Sequence, residues 1–202
     1  MEGIIKTGKD LTTADKIAIL VHGRGATAGS LLGLADALAL DDFAILAPQA
    51  PGNTWYPYGF MAPEKENEPH LSQSLEIINN LVRHVLDQKK DLDQLYFIGF
   101  SQGACLSLEF VARHPARYGG VIAFTGGLIG ESLSPYEGDL KGTPVFIGAS
   151  LEDFHVPFSR IKETERMLTT LGARVKAVGF PDRFHSIREE EILAANQFVL
   201  NF

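Results

Sequence analysis

Leu95-Tyr96-Phe97-Ile98-Gly99-Phe100-Ser101-Gln102-Gly103-Ala104-Cys105-Leu106 joins a short apolar run to a helical pattern through Gly-x-Ser-x-Gly. The apolar run predicts a strand. Gln102 to His114, closed by Pro115, predicts a helix. A strand that turns at once into a helix forces the residue between them into a strained backbone that pushes its side chain above the sheet. Gly99 and Gly103 then have a steric role, because a Cβ at either position would collide where strand and helix cross. Ser101 is thereby the candidate nucleophile.

The rest of the chain reads as the same alternation repeated. Ile17 to Val21, Phe43 to Ala47, Gly120 to Thr125, Val145 to Ala149 and Val175 to Phe180 are continuous branched or apolar runs, as expected of strands buried on both faces. Between them, helices are expected over Ser30 to Leu40, with Leu31, Leu34 and Leu38 at helical spacing, and over Leu71 to Gln88. Another should open at Pro157 and end near Leu171-Gly172. The last should start at Ser186-Ile187-Arg188-Glu189, which has the form of a capping box, and run toward Asn201. Gln49 to Pro69 is a long irregular segment rich in proline and aromatics. Such an alternation predicts one α/β domain over residues 1–202, a mostly parallel sheet covered by helices on both faces, with no separate lid domain.

Composition narrows the partners. The 202 residues carry a formal net charge of −7, which gives no electrostatic footprint for nucleic acid or an anionic membrane. The one cysteine, Cys105, cannot form an internal disulfide and reads as a small buried hydrophobe. Met1 to Asp10 has neither a basic n-region nor an apolar h-region, and no run is long enough to span a bilayer. The expectation is a cytoplasmic protein without stable membrane insertion.

A serine hydroxyl needs a base to take its proton, and the base needs a carboxylate to orient it. In a parallel sheet these groups gather at the carboxyl ends of the strands. Of six histidines, only His185 follows the last predicted strand and precedes the last helix. His84 and His114 fall within helices, His70 precedes one, and His22 and His155 follow strands too early in chain order. Asp153 follows the strand ending at Ala149 and lies between serine and histidine in the chain, with Asp182 as the fallback. The oxyanion of an acyl intermediate would meet the backbone N–H of Gln102, just after the nucleophile, and that of Arg24 in His22-Gly23-Arg24-Gly25. His22 is then structural, since no companions stand at metal-ligand spacing. Trp55, Tyr56, Tyr58, Phe60 and Met61 are candidates for an apolar pocket wall, with Leu128 and Ile129 for the facing wall.

These residues resemble the phospholipase/carboxylesterase family of α/β-hydrolases, which includes the acyl-protein thioesterases. The likeness runs nearly the full length: His22-Gly23, Ala47-Pro48-Gln49-Ala50-Pro51, Gly99 to Ala104, Thr125-Gly126-Gly127-Leu128, Asp153 with Val156-Pro157, and Phe184-His185-Ser186. It implies an α/β-hydrolase fold with a Ser101–His185–Asp153 triad and Arg24 and Gln102 at the oxyanion hole. The reaction implied is hydrolysis of carboxylic esters through an acyl-enzyme, with thioesters and lysophospholipids within its range. No cofactor and no metal are expected, and the partner is a small-molecule ester or acyl compound, with a homodimer left open. The triad alone does not separate an esterase from a lactone or peptide-type hydrolase, and a non-catalytic binding protein on the same fold is the remaining alternative. Two features depart from the family: Arg24 stands where the thioesterase branch commonly has an apolar residue, and Gly148 to Glu152 lacks the usual His-Gly lead-in. At the pocket mouth the Arg24 side chain would favour an anionic substrate group.

Overall fold

A computed structural model describes residues 3–133 and 135–201. Seven strands form one sheet: β1 (Ile4–Gly8), β2 (Lys16–Val21), β3 (Phe43–Pro48), β4 (Leu95–Phe100), β5 (Gly120–Phe124), β6 (Pro144–Ser150) and β7 (Arg174–Phe180), in spatial order β1-β3-β2-β4-β5-β6-β7. Every pair is parallel except β1 with β3. Among the described residues the α-helices are α1 (Leu34–Ala37), α2 (Glu64–Asn67), α3 (His70–Asp87), α4 (Gln102–Arg113), α5 (Phe158–Thr170) and, after the last strand, α6 (Glu189–Ala195). Among the described residues no helix is long and apolar enough to cross a membrane.

Strand composition follows from burial on both faces. In β2, Ile17, Ile19 and Val21 pack toward α3, α4 and α5 on one side, while Ala18 and Leu20 pack on the other with Leu31, Leu38 and Ala195. With period-2 side chains, only a continuous apolar run fills both layers. The order also contains a reversal: β3 lies on one side of β2 and β4 on the other. The chain therefore leaves β2 toward one side of the sheet and β4 toward the other, a switch point of the kind at whose carboxyl edge α/β sheets bind ligands in a crevice.

Two expectations need correction, and one strand adds to them. The helix expected over Ser30 to Leu40 is instead a 3₁₀ turn, Ala28–Leu31, followed by the single turn α1. Leu31 and Leu38 are buried as their spacing suggested. Leu32 and Gly33 keep right-handed dihedrals between the two turns, and Gly29 and Gly33, each about 1 kcal/mol worse than alanine in a helix, weaken the segment as one continuous α-helix. The capping box at Ser186 is not formed either. Arg188 is the N-cap of α6 in extended conformation (φ −110°, ψ 156°), without a capping side-chain bond, and the chain closes through a π-helical turn, Asn196–Leu200. The guanidinium of Arg188 donates to the carbonyls of Phe184 and Ser186, which keeps this stretch out of a helix. Finally, β1 was not anticipated: four of its five residues are exposed, so it carries no hydrophobic alternation to read.

Glu191 in α6 is fully buried beneath Gly148, where an added Cβ would come within 2.4 Å of its Oε1. That oxygen has no hydrogen-bond partner among the described residues, and Oε2 accepts one bond, from Arg188 Nη1 at 3.1 Å. Burial lifts its pKa from 4.5 to about 7, with Arg188 opposing the rise only in part. Between those values the folded chain holds a proton that the unfolded chain releases, so stability falls as pH rises through this window. At about 1.4 kcal/mol per unit the loss is about 3 kcal/mol. Glu191→Gln is therefore expected to reduce the drop in melting temperature between pH 5 and pH 8, relative to wild type, by about 5 to 10 °C in thermal melts. An unchanged pH dependence would show that Glu191 ionises freely.

Candidate active site

Ser101 joins β4 to α4 with φ 53° and ψ −119°, a conformation L-residues rarely adopt, and its N–H donates to Phe124 O at 2.9 Å. Its glycines are sterically demanded. A Cβ on Gly99 would lie 2.5 Å from Gly103 O, and one on Gly103 would lie 2.0 Å from Val21 O, so α4 packs directly on the ends of β4 and β2. The turn thus lifts the serine side chain over the crevice.

Three loop ends converge there. His185, between β7 and α6, has Nε2 2.8 Å from Ser101 Oγ and Nδ1 2.8 Å from Asp153 Oδ2. Asp153 Oδ1 accepts the backbone N–H groups of His155 at 2.7 Å and Val156 at 2.9 Å. Burial is the largest single influence on Asp153 and pushes its pKa up. The bonds from His185 and the two amides together outweigh it, and the carboxyl titrates below its ordinary value. An acceptor at both Asp153 oxygens fits one tautomer, with the imidazole proton on Nδ1 and the Nε2 lone pair facing the hydroxyl. Asp182, the fallback carboxylate, is engaged elsewhere, with Arg188 and the N–H of Phe184.

The opposite side of the crevice is main chain. Gln102 begins the twelve-residue α4, and the first N–H groups of a helix have no intrahelical acceptor. The loop after β2 rests on the Ser101 turn closely enough that a Cβ on Gly23 would sit 3.5 Å from Ser101 Cβ. This loop is held by Gly25 N–H to Asn53 O at 2.7 Å and Ala26 N–H to Gly23 O at 3.2 Å, which places Arg24 at the crevice edge. His22 is buried: Nδ1 faces Gly23 O at 2.8 Å and Nε2 accepts Ala50 N–H at 3.1 Å. Burial lowers its pKa, so it stays neutral and structural.

A cleft of about 300 Å³ opens over Ser101, walled by Arg24, Tyr56, Phe60, His155 and Val156, with Cys105 at its base. Two residues expected on the wall stand behind it. Trp55 is buried, its indole donating to His22 O at 2.8 Å and its amide to Gln102 Oε1 at 2.9 Å. Leu128 is fully buried, its N–H donating to Thr164 Oγ1 at 3.0 Å. Both support the cleft without facing it, and Ile129, also buried, does the same. Tyr58 and Met61 are exposed outside it. The Arg24 guanidinium does not hang free at the mouth: it donates to Pro57 O at 2.7 Å and Tyr58 O at 2.5 Å, bracing the aromatic loop. His155, set aside on chain order, lines the cleft with its ring 5.1 Å from that of His185. Its position two residues after Asp153 was the available signal. Cys105 is inert, since burial pushes its thiol to about 12. Among the described residues no three His, Cys, Asp or Glu side chains cluster as a metal site would require.

A family model described as phospholipase/carboxylesterase matches residues 5–201. The crystal structure of a phospholipase/carboxylesterase from Dyadobacter fermentans is 45% identical, with a TM-score of 0.96 over 99% of this chain and 97% of that one. Acyl-protein thioesterase 1 of Debaryomyces hansenii is 34% identical over 148 residues, 70% of this chain and 63% of its own. A probable SOBER1-like carboxylesterase of Arabidopsis thaliana is 27% identical over 133 residues, 65% of this chain and 51% of its own. The chain thus spans between half and two thirds of the length of these curated relatives.

Proposed function

The chain belongs to the phospholipase/carboxylesterase family, and from that premise we propose that it is a serine hydrolase of small carboxylic esters, with Ser101 as nucleophile, His185 as general base and Asp153 as the orienting acid. The observation that carries this reading is the single imidazole bridging hydroxyl and carboxylate at 2.8 Å on each side. Ser101 Oγ attacks the acyl carbon as its proton passes to His185 Nε2, and Asp153 stabilises the imidazolium without taking the proton. The oxyanion is received by the backbone N–H groups of Arg24 and Gln102. Collapse returns the proton to the leaving alkoxide, and water, activated by the same imidazole, releases the acid and restores the serine.

The cleft supports a preference within the ester class. At about 300 Å³ it is at the small end of ligand pockets, and it mixes the polar His155 and Arg24 with Tyr56, Phe60 and Val156. A short acyl group fills it, whereas a long chain must lie on open surface. Across a p-nitrophenyl ester series, kcat/KM for acetate to butyrate is expected to exceed that for palmitate at least tenfold, and acyl thioesters of equal length test the leaving group. Correctly folded protein that turns over no ester or thioester and takes no fluorophosphonate label would leave a binding protein as the reading.

A further inference from the structure

His185 sits in residues 181–188, which form neither strand nor helix. Its immediate neighbours do not anchor it by burial: Phe184 is 64% exposed and Ser186 is exposed, and in this loop Ile187 alone packs partly on the core. A base carried on such a loop needs another fixed point if Nε2 is to stay within hydrogen-bond reach of a serine on a different strand.

Arg188 supplies that point. Its Nη2 donates to Phe184 O at 2.9 Å and its Nη1 to Ser186 O at 3.1 Å, so one planar group grips the carbonyls on both sides of His185. Nε donates to Asp182 Oδ2 at 2.6 Å, and Nη2 also contacts Asp182 Oδ1 and Ser150 Oγ. Ser150 Oγ lies 2.5 Å from Phe184 O and 2.7 Å from Asp182 Oδ1, and has one proton to give to either. On its far side Arg188 meets the buried Glu191 at 3.1 Å, and the guanidinium lies 5.2 Å from the Phe180 ring. Ser150 ends β6, three residues before Asp153, so this cluster ties the loop of the base to the strand that carries the carboxylate. Five fixed donors in one plane are a property of arginine that lysine does not share.

We propose that Arg188 is a positioning residue, clamping the loop around His185 so that its imidazole stays aligned between Ser101 and Asp153. This rests on the reading of His185 as the base. Misplacing a catalytic group by about 1 Å costs on the order of 100-fold in rate. In the full chain, Arg188→Ala is therefore expected to lower kcat on p-nitrophenyl butyrate by about 10- to 100-fold with KM within about threefold, and to slow fluorophosphonate labelling in parallel. Added guanidinium at millimolar concentration should recover part of that kcat, where equal sodium chloride does not. Arg188→Lys should fall between, and Arg83→Ala, which breaks an exposed helix ion pair with Glu76, should match wild type.

A folded Arg188→Ala protein with wild-type kcat and labelling rate overturns the proposal and leaves the hydrolase reading intact. A wild-type protein that neither turns over nor labels removes the hydrolase reading, and the proposal with it. If Arg188→Ala does not fold, Ser150→Ala decides: a several-fold loss of kcat at constant KM supports the clamp, and unchanged kcat refutes it.

Discussion

Ser101→Ala is expected to lower kcat on short esters by on the order of 10⁶ and to abolish fluorophosphonate labelling, because among the described residues the Ser101 hydroxyl is the one hydrogen-bonded to the His185 imidazole. The loss should not come from unfolding. Ser101 makes no side-chain cap on α4, and its backbone N–H bond to Phe124 O survives truncation. Stability should respond in an informative direction when the residue is varied further. At φ 53° and ψ −119° a Cβ is strained by about 1 to 3 kcal/mol, so Ser101→Gly should be inactive like Ser101→Ala yet melt at a higher temperature. A chemical role and a conformational cost at one position are thereby separated by two variants and two instruments, an esterase assay and a thermal melt. Residual turnover of Ser101→Ala within tenfold of wild type would assign the nucleophile elsewhere.

How legible an element is in the sequence depends on how strongly its local pattern is coupled to packing. The Leu95 to Leu106 stretch specified its turn because Gly99 and Gly103 each face backbone within about 2.5 Å, leaving no room for another residue type. The buried strands were equally legible, since β2, β3 and β6 must be apolar on both faces. Legibility failed where a pattern reported burial without backbone geometry. The leucines at 31 and 38 are in the core, although the segment carrying them is two separate turns. Trp55 and Leu128 show the same limit: apolar residues near a nucleophile mark a wall, but which face the cleft depends on polar atoms behind them, His22 O and Thr164 Oγ1. The Ser186 box was overruled by the Arg188 guanidinium, which takes the carbonyls of Phe184 and Ser186 while held by a contact no local window contains, 38 positions back at Ser150.

Asp153→Asn separates orientation from charge at the acid and is expected to reduce kcat by on the order of 10⁴ with little change in KM. The reason lies in the bonds already made. Oδ1 accepts two backbone N–H groups, from His155 and Val156, so the asparagine oxygen must take that side; the reverse orientation would set an NH₂ against two donors. The NH₂ then faces His185 Nδ1, which has to become an acceptor, and the ring proton moves to Nε2. In that tautomer Nε2 has no lone pair for the Ser101 proton, although every heavy atom keeps its place. The Asn variant should consequently bind substrate normally and acylate slowly, which single-turnover measurements on p-nitrophenyl butyrate resolve. Asp182 cannot substitute, because the Arg188 guanidinium is the leading cause holding its carboxyl well below the usual range and occupying both of its oxygens. Retention of activity within tenfold in Asp153→Asn would mean that the imidazole is oriented by something other than this carboxylate.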